Sequence, residues 1–256
     1  MFTDSGTYGS SCVNLLCHGA EYRFDPSTPP IGIGGMGIVY LGFRVSDNKK
    51  VAVKMLRPEL SDIPAFRLRA KLEAGIQVHN PNIVKMLGYC ECNPDHGPLY
   101  VLSEYVEGIP FQEYVKHQLS HLSPRERVVR IVSASLPVLK AVAYLHSIGI
   151  IHRDIKPDNL MLQNDNSLIL LDLGVAKCES FYDAHLQGTI GTEPFCAPEQ
   201  VVPDNVEAST DYRSDIYSCG MTLAFLISGW DHSALKQTDP DLYGILRIAT
   251  RRLPAM

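Results

Sequence analysis

The sequence predicts an α+β fold with two lobes, in which a small antiparallel sheet precedes a larger and mainly helical part. Three observations support this prediction. Short runs of β-branched and aromatic residues, separated by turn residues, recur between residues 38 and 105. A long segment with helical apolar periodicity begins after a capping box at Ser123. The chain has 256 residues, enough for one large domain or for two packed lobes around one site.

Composition limits the class of protein. The net charge of −5 and the hydrophobic content of 45% are ordinary for a globular chain and argue against a nucleic-acid-binding protein. The first residues lack the pattern of a signal peptide, and no apolar run reaches the ~18 residues of a membrane span. Seven irregularly spaced cysteines favour reduced, packed thiols over a zinc site at Cys90 and Cys92. We therefore expect a cytoplasmic protein without a membrane span or a nucleic-acid partner.

The N-terminal part contains a glycine-rich segment. Residues 1–24 show no clear period and predict a loosely packed extension, which a proline-rich breaker cluster at residues 25–30 ends. Ile31–Tyr40 then has the spacing G-x-G-x-x-G, in which glycines let the backbone approach phosphate oxygens. The β-branched run after Gly37 predicts a strand at this point. The dinucleotide-binding pattern would require a helix there, so the sequence disfavours it.

The next elements surround two charged residues. Val51–Lys54 reads as a strand that ends in lysine, and a helix is predicted from Ala65 to Val78 with Glu73 on it. A strand follows from Leu99 towards Gly108. The capping box at Ser123 then begins a helix that ends near Gly149, with Pro137 inside it.

The segment Ile151–Asn159 carries the residues of a phosphoryl-transfer site. Asp154 supplies a carboxylate that can orient a hydroxyl, Lys156 a cation for the migrating phosphoryl group, and Asn159 an oxygen ligand for Mg²⁺. Further along, Asp172-Leu173-Gly174 follows an apolar run. The segment Gly191–Glu199 reads G-T-E-P-F-C-A-P-E.

In order and in wording, these motifs resemble those of the eukaryotic-like serine/threonine protein kinases, especially the bacterial members. The matching patterns are H-R-D-x-x-x-x-N, V-A-I-K and D-F-G, the last with leucine for phenylalanine. The resemblance covers about residues 31–230. It implies a two-lobed protein kinase fold, with an N-lobe at 25–102 and a hinge and C-lobe at 103–256 that stop short of the family's last helices. Lys156 and Thr192 indicate the serine/threonine-specific branch.

The resemblance also implies a role for each charged residue. ATP would bind in the cleft, with Lys54 on its phosphates and Glu73 orienting Lys54. Asp154 would orient a serine or threonine hydroxyl of a protein substrate, and Lys156 would stabilise the transferred group. Autophosphorylation and a part in signalling follow from the same resemblance.

Metal and nucleotide contacts are implied in the same way. Asn159 and Asp172 would bind Mg²⁺ or Mn²⁺. Ser103 would stand at the back of a deep adenine pocket. The residues implied to contact the nucleotide are Gly32, Ile33, Gly34, Gly35, Met36, Gly37, Val39, Ala52, Lys54, Glu104, Val106 and Met161.

One departure from the family pattern concerns the helix of Glu73. The following Asn80-Pro81 lies closer to Glu73 than is usual, and an ungapped match would place Lys71 at the glutamate position. Because Lys71 cannot pair with Lys54, we expect a shortened helix with Glu73 facing inward. Two alternatives remain open: a pseudokinase that acts as a nucleotide-binding or scaffold module, and a small-molecule phosphotransferase. The intact segment 192–199 argues against the second.

Control elements are expected after residue 174. Arg153 would bind a phosphate on the activation segment, with Thr189 as the first candidate site and Ser180 as the second. Ser214 is expected to cap the central helix of the second lobe. Glu199 would require an arginine partner, so either Arg251 or Arg252 supplies it or the chain is a truncated domain.

Overall fold

The computed structural model describes residues 12–91, 93–173, 177–178, 191–200, 211–229 and 232–250. The chain divides into two compact units. The first runs through His79 and resumes from Val84 to Tyr105, and the second comprises Asn80–Ile83 and continues from Val106. This division differs from the predicted boundary between residues 102 and 103.

The segment 80–83 joins the second unit because it pairs with a strand there. Ile83 forms a parallel bridge with Leu170. Asn82 Nδ2 donates a hydrogen bond to the Leu168 carbonyl at 2.9 Å. These contacts join residues that are far apart in the sequence and leave no local pattern. The sequence therefore could not predict that residues 80–83 belong to the second unit.

The first unit is an antiparallel sheet with two helices. Its strands are β1 Val13–Cys17, β2 Ala20–Phe24, β3 Gly32–Ile33, β4 Gly37–Arg44, β5 Lys50–Leu56, β6 Met86–Glu91 and β7 Leu99–Glu104. They are ordered β1-β2-β4-β5-β7-β6, and β3 pairs with β4. The helices are α1 Pro58–Ser61 and α2 Pro64–Gly75.

The prediction of a loosely packed extension is wrong for residues 13–24, which form the hairpin of β1 and β2. Alternate side chains point into the core, and Leu15 and Phe24 are buried whereas Leu16 is exposed. The Phe24 ring packs against Tyr40 and Tyr100, with ring centroids 5.4 and 5.6 Å apart. The alternation of apolar and polar residues over Ala20–Phe24 was an available signal for β2. In β1 the adjacent Leu15 and Leu16 break that alternation, so the pairing of the two strands escaped prediction.

The hairpin also contacts β6 through buried thiols. Cys90 Sγ lies 3.3 Å from the Leu16 carbonyl oxygen, and Cys17 Sγ lies 3.6 Å from that of Leu87. Cys17, Cys90, Cys196 and Cys219 are thiols that form no disulfide. Cys92 lies outside the described residues.

The second unit is mainly helical. Its helices are α3 Phe111–Gln118, α4 Pro124–Ser147, α5 Tyr212–Ser228, α6 His232–Thr238 and α7 Pro240–Ala249. Its short strands are β8 Gly108–Pro110, β9 Ile150–Ile151, β10 Leu160–Gln163, β11 Leu168–Leu170 and β12 Lys177–Cys178. Strands β11, β10 and β8 form one sheet, and β12 pairs with β9. Phe111, Ile131 and Leu168 lie at the centre of a core to which α3, α4 and α5 contribute.

Helix α4 begins at the predicted capping box. The Ser123 hydroxyl accepts a hydrogen bond from the Glu126 N–H, and the Glu126 carboxylate accepts one from the Ser123 N–H. The hydrogen bond from the Ser123 hydroxyl lowers the pKa of Glu126. Among the described residues, α4 is the one helix that is long and apolar enough to cross a membrane, judged by length and composition alone. Its inner face, including Val128 and Val142, packs into the core of the second unit.

Two helix boundaries differ from the sequence prediction. Helix α2 ends at Gly75 and not at Val78, because glycine is a weak helix former and Ile76 adopts an extended backbone. Helix α5 is capped by Asp211, whose side chain accepts a hydrogen bond from the Arg213 N–H. Ser214, the predicted cap, lies inside the first turn.

The packing of the hairpin predicts a large effect of a core substitution. Phe24→Ala should lower the free energy of unfolding by about 3–5 kcal/mol, because it leaves a cavity between two rings. Leu16→Ala is the matched control and should change it by less than about 0.5 kcal/mol, since the side chain is exposed. Urea denaturation monitored by circular dichroism measures both values. Equal midpoints for the two variants would contradict the packing.

Candidate active site

Lys54 and Glu73 form a buried ion pair in the first unit. Lys54 Nζ donates hydrogen bonds to both carboxylate oxygens of Glu73, at 3.0 and 3.1 Å. The Lys54 and Glu73 side chains are 17% and 3% exposed, so the pair is held with little solvent. The short helix α2 presents Glu73 inward, as expected, and Lys71 pairs instead with Glu91 at 2.8 Å. The paired lysine is thereby fixed in one orientation.

The glycine-rich segment forms a hairpin beside this lysine strand. Residues 32–33 pair with residues 38–39, and the Gly34 N–H donates to the Gly37 carbonyl at 2.9 Å. A Cβ at Gly37 would stand 2.7 Å from the Met55 carbonyl oxygen, so only glycine fits there. Around Gly35 no atom lies within 4 Å of such a Cβ. The backbone at Gly35 is therefore open to a ligand.

A residue that the sequence analysis missed holds this hairpin. Arg57 Nε donates to the Gly34 carbonyl at 3.0 Å, and the Arg57 N–H donates to the Met36 carbonyl at 3.0 Å. Arg57 follows the strand of Lys54, and no sequence pattern there predicts a contact with the glycine-rich hairpin. Among the other predicted nucleotide contacts, Ile33 is 70% exposed and Val39 pairs with Lys54 across β4 and β5.

The residues predicted to surround adenine lie in both units. Ala52 pairs with Ser103 across β5 and β7. The Glu104 N–H donates to the Lys85 carbonyl at 2.9 Å. In the second unit, Val106 follows the unit boundary and Met161 lies on β10. Their contact with a nucleotide stays a prediction.

In the second unit three side chains converge at the predicted catalytic loop. Lys156 Nζ lies 2.9 Å from Asp154 Oδ2 and donates to the Thr192 hydroxyl at 2.6 Å. The same hydroxyl donates to Asp154 Oδ1 at 2.8 Å. The Asp154 carboxylate is therefore held on both oxygens and faces a cation, an arrangement suited to orienting a hydroxyl and to stabilising transferred negative charge.

Asn159 and Asp172 provide the oxygen ligands expected of a magnesium site. Asn159 Nδ2 donates to the Asp154 carbonyl at 2.8 Å, which leaves the amide oxygen as the atom that can serve a metal. Asp172 follows β11 and has a φ of 52°. Throughout the part of the chain that the structure describes, no group of three His, Cys, Asp or Glu side chains is arranged to hold a metal. One or two protein ligands with substrate phosphates are the usual surroundings of Mg²⁺, and these residues fit it.

A buried carboxylate on α5 fixes the backbone of the catalytic loop. Asp215 is 0% exposed and accepts hydrogen bonds from the N–H groups of His152 and Arg153, at 2.8 and 2.7 Å. His146 Nε2 lies 2.8 Å from the same carboxylate. Arg153 has a φ of 68°, a strained conformation that these bonds help to hold. The presence of the charged Asp215 in the mainly apolar helix α5 was the sequence signal that could have predicted this role.

The segment 191–200 packs under the same loop. Gln200 Nε2 donates to the Arg153 carbonyl at 2.8 Å, and its Oε1 accepts from the Ala197 N–H. Burial, followed by the neighbouring Glu193 carboxylate, raises the pKa of the Cys196 thiol. A protonated thiol is a poor nucleophile.

Glu199 has a hydroxyl partner. Its Oε1 accepts a hydrogen bond from the Ser214 hydroxyl at 2.8 Å. The expected partners Arg251 and Arg252 lie outside the described residues, as do the candidate phosphorylation sites Thr189 and Ser180. The arginine partner of Glu199 therefore stays a prediction.

Comparison with known proteins agrees with this geometry. The family profile described as "Protein kinase domain" matches residues 27–250. Over 78% of its length the chain is 34% identical to "Serine/threonine-protein kinase PknB" of Mycobacterium leprae and to "Probable serine/threonine-protein kinase PknB" of Bifidobacterium longum. It covers 31% and 29% of those proteins, so it spans about three-tenths of the length of the curated relatives it matches.

Solved structures show the same fold. The Mycobacterium tuberculosis PknI kinase domain superposes with a TM-score of 0.68 at 23% identity, over 97% of this chain and 93% of that one. A double mutant of that domain gives a TM-score of 0.69 at 24% identity, over 97% and 92%.

The anchoring role of Asp215 predicts a stability loss on amide substitution. Asp215→Asn should lower the free energy of unfolding by about 3 kcal/mol, because an amide offers one acceptor oxygen where two backbone donors and an imidazole are buried. Asp158→Asn, on the exposed side of the same loop, should change it by less than about 0.5 kcal/mol. Chemical denaturation measures both, and a neutral Asp215→Asn would contradict the role.

Proposed function

This chain belongs to the protein kinase family, and we propose that it transfers the γ-phosphoryl group of ATP to serine or threonine hydroxyls of proteins. The observation that carries the proposal is the contact of Asp154 with both Lys156 and Thr192. Relatives at 34% identity that are named serine/threonine kinases support the choice of acceptor.

Each charged group has a defined task. The Asp154 carboxylate orients the acceptor hydroxyl and takes its proton as the oxygen attacks phosphorus. Lys156 stabilises the negative charge on the phosphoryl oxygens. Lys54, oriented by Glu73, binds the other phosphates of the nucleotide. Positioning and electrostatic stabilisation supply most of the rate enhancement, because phosphoryl transfer asks little covalent chemistry of the protein.

Asn159 and Asp172 would hold the metal, and the glycine-rich hairpin would cover the phosphates. We propose Mg²⁺, with Mn²⁺ as a substitute, because amide and carboxylate oxygens suit hard cations. When bound, the ion neutralises phosphate charge and orients the nucleotide. The open space at Gly35 supports a close approach of phosphate to the backbone.

We further propose that the chain acts in the cytoplasm and phosphorylates itself. Cytoplasm supplies ATP, and the free thiols among the described cysteines suit a reducing compartment. Phosphate on Thr189, or on Ser180 as second choice, would pair with Arg153 and order the activation segment. The acidic net charge of −5 supports protein rather than nucleic-acid substrates.

Two substitutions test the proposed function. Incubated with γ-labelled ATP and Mg²⁺, the unmodified chain should incorporate phosphate, as localised by mass spectrometry. Asp154→Asn and Lys54→Met should each lower incorporation at least about 100-fold, because each removes a charged group from the reacting geometry. Asp158→Asn should leave it unchanged. Nucleotide binding without transfer by the unmodified chain would favour the pseudokinase alternative.

The Thr192 hydroxyl generates a separate prediction. Thr192→Val should lower kcat by about 10- to 100-fold, because Asp154 and Lys156 both lose the hydroxyl that orients them. Thr192→Ser keeps the hydroxyl and should retain most of the activity. Steady-state kinetics with a protein acceptor decide, and equal rates for the two variants would show that the hydroxyl has no part in the site.

A further inference from the structure

Helix α2 is attached to the first unit largely through charged groups. Its buried residues are Arg67, Ala70, Glu73 and Ala74. Two buried alanine side chains remove little apolar surface from water, and Phe66 and Leu72 are only partly buried, so hydrophobic burial alone fixes the helix weakly. The position of α2 therefore depends on the contacts of Arg67 and Glu73.

The Arg67 guanidinium uses all of its donors. Its side chain is 3% exposed, and it donates to the Glu91 carboxylate at 2.7 Å. The remaining N–H groups bind backbone carbonyls before the helix and in the loop between β6 and β7. These acceptors are Ser61 at 2.7 Å, Gly97 at 2.7 Å, Pro94 at 3.0 Å, and Asn93. A guanidinium has five N–H groups in a rigid plane, so five bonds define its position closely.

Glu91 holds a second turn of the same helix. Its Oε1 lies 2.8 Å from Lys71 Nζ, and that ammonium stands 5.8 Å from the centre of the Tyr89 ring. Arg67 and Lys71 are four residues apart and therefore share one helix face. We name Arg67, Lys71 and Glu91 the Glu91 cluster. It links β6 to two successive turns of α2.

The cluster lies close to the catalytic ion pair along the helix. Glu73 lies six positions after Arg67, or about 9 Å along the helix at ~1.5 Å per residue. A helix of this length moves as a rigid rod, so a shift at Arg67 displaces Glu73 as well. Such a shift would break the bonds of 3.0 and 3.1 Å from Lys54.

We propose that Arg67 and Glu91 are positioning residues for phosphoryl transfer, which act by holding α2 where Glu73 meets Lys54. The inference rests on the proposed function. It assigns the cluster a task beyond stability: the Arg67 bonds set the place of a carboxylate that they do not touch.

A purely structural role would give a different pattern of effects. If Arg67 only stabilises the unit, its substitution should cost activity by the same factor whether or not Glu73 is present. If it acts through Glu73, the effect should vanish once the Glu73 carboxylate is gone. Glu73→Gln therefore supplies the background that separates the two explanations.

The kinetic test combines Arg67→Lys and Glu91→Gln with Glu73→Gln. Each cluster variant alone should lower kcat by about 10- to 100-fold, with a smaller change in the KM for ATP, since a misplacement of ~1 Å has this effect. In the Glu73→Gln background each should add less than a factor of about 2, because the group through which it acts is absent. Leu68→Ala, an exposed neighbour on α2, is the control and should match the unmodified chain. Thermal melts establish that every variant is folded.

A second readout needs no activity. Carbodiimide coupling joins an amine and a carboxylate in contact as an amide, so mass spectrometry of digests gives the yield of the Lys54–Glu73 cross-link. The yield should fall several-fold in folded Arg67→Lys and Glu91→Gln but not in Leu68→Ala.

Any of three results would overturn the proposal. The first is an equal cross-link yield in all folded variants. The second is an equal loss of kcat with and without Glu73→Gln, and the third is full activity of a folded Arg67→Lys chain. If Arg67→Lys does not fold, Glu91→Gln, which keeps the size and one acceptor oxygen, decides alone. A fall in cross-linking in a chain that transfers no phosphate would contradict the proposed function and leave the positioning of Glu73 standing.

Discussion

The buried ion pair of Lys54 and Glu73 is the constraint on which the first unit depends. Two charges removed from water are stable only when both are held in good geometry, because the desolvation of each is costly. Strand β5 fixes the lysine within the sheet, and α2 buries Glu73 two residues before its end at Gly75. The Arg67 bonds then hold the helix from its other end. The sheet and the helix are thus arranged around one charged contact.

The second unit uses the same principle with a carboxylate and backbone donors. Asp215 lies in the core and binds the N–H groups of the catalytic loop, so Asp154 and Lys156 stand on a backbone with few alternative conformations. Thr192 closes the arrangement from the segment that follows. Rigid placement matters here because catalysis by positioning loses its effect with displacements of about 1 Å. The buried polar contacts that stabilise this unit are therefore the same ones that the proposed function requires.

Motifs in the sequence predicted the family, the fold class and the residues that converge in each unit, because their chemistry requires fixed residue types at fixed spacings. Helix α4 was predictable from its capping box and period. The hairpin at residues 13–24 was missed, since Val13–Cys17 breaks the alternation that Ala20–Phe24 shows and the packing depends on the distant Tyr40 and Tyr100. Arg67 escaped prediction because its partners are mainly backbone carbonyls, which any residue can supply. Glu91 escaped because its partners, Arg67 and Lys71, lie on a helix that is distant in the sequence.

The central claim is that the Lys54–Glu73 pair and the contacts of Asp154 serve the transfer of phosphate to aliphatic hydroxyls. The most direct test is phosphoamino-acid analysis after incubation of the unmodified chain with γ-labelled ATP, Mg²⁺ and a protein acceptor. The account predicts label on serine and threonine, none on tyrosine, and none when a chelator removes the divalent metal. Label on tyrosine alone, or release of labelled inorganic phosphate without any labelled protein, would contradict it.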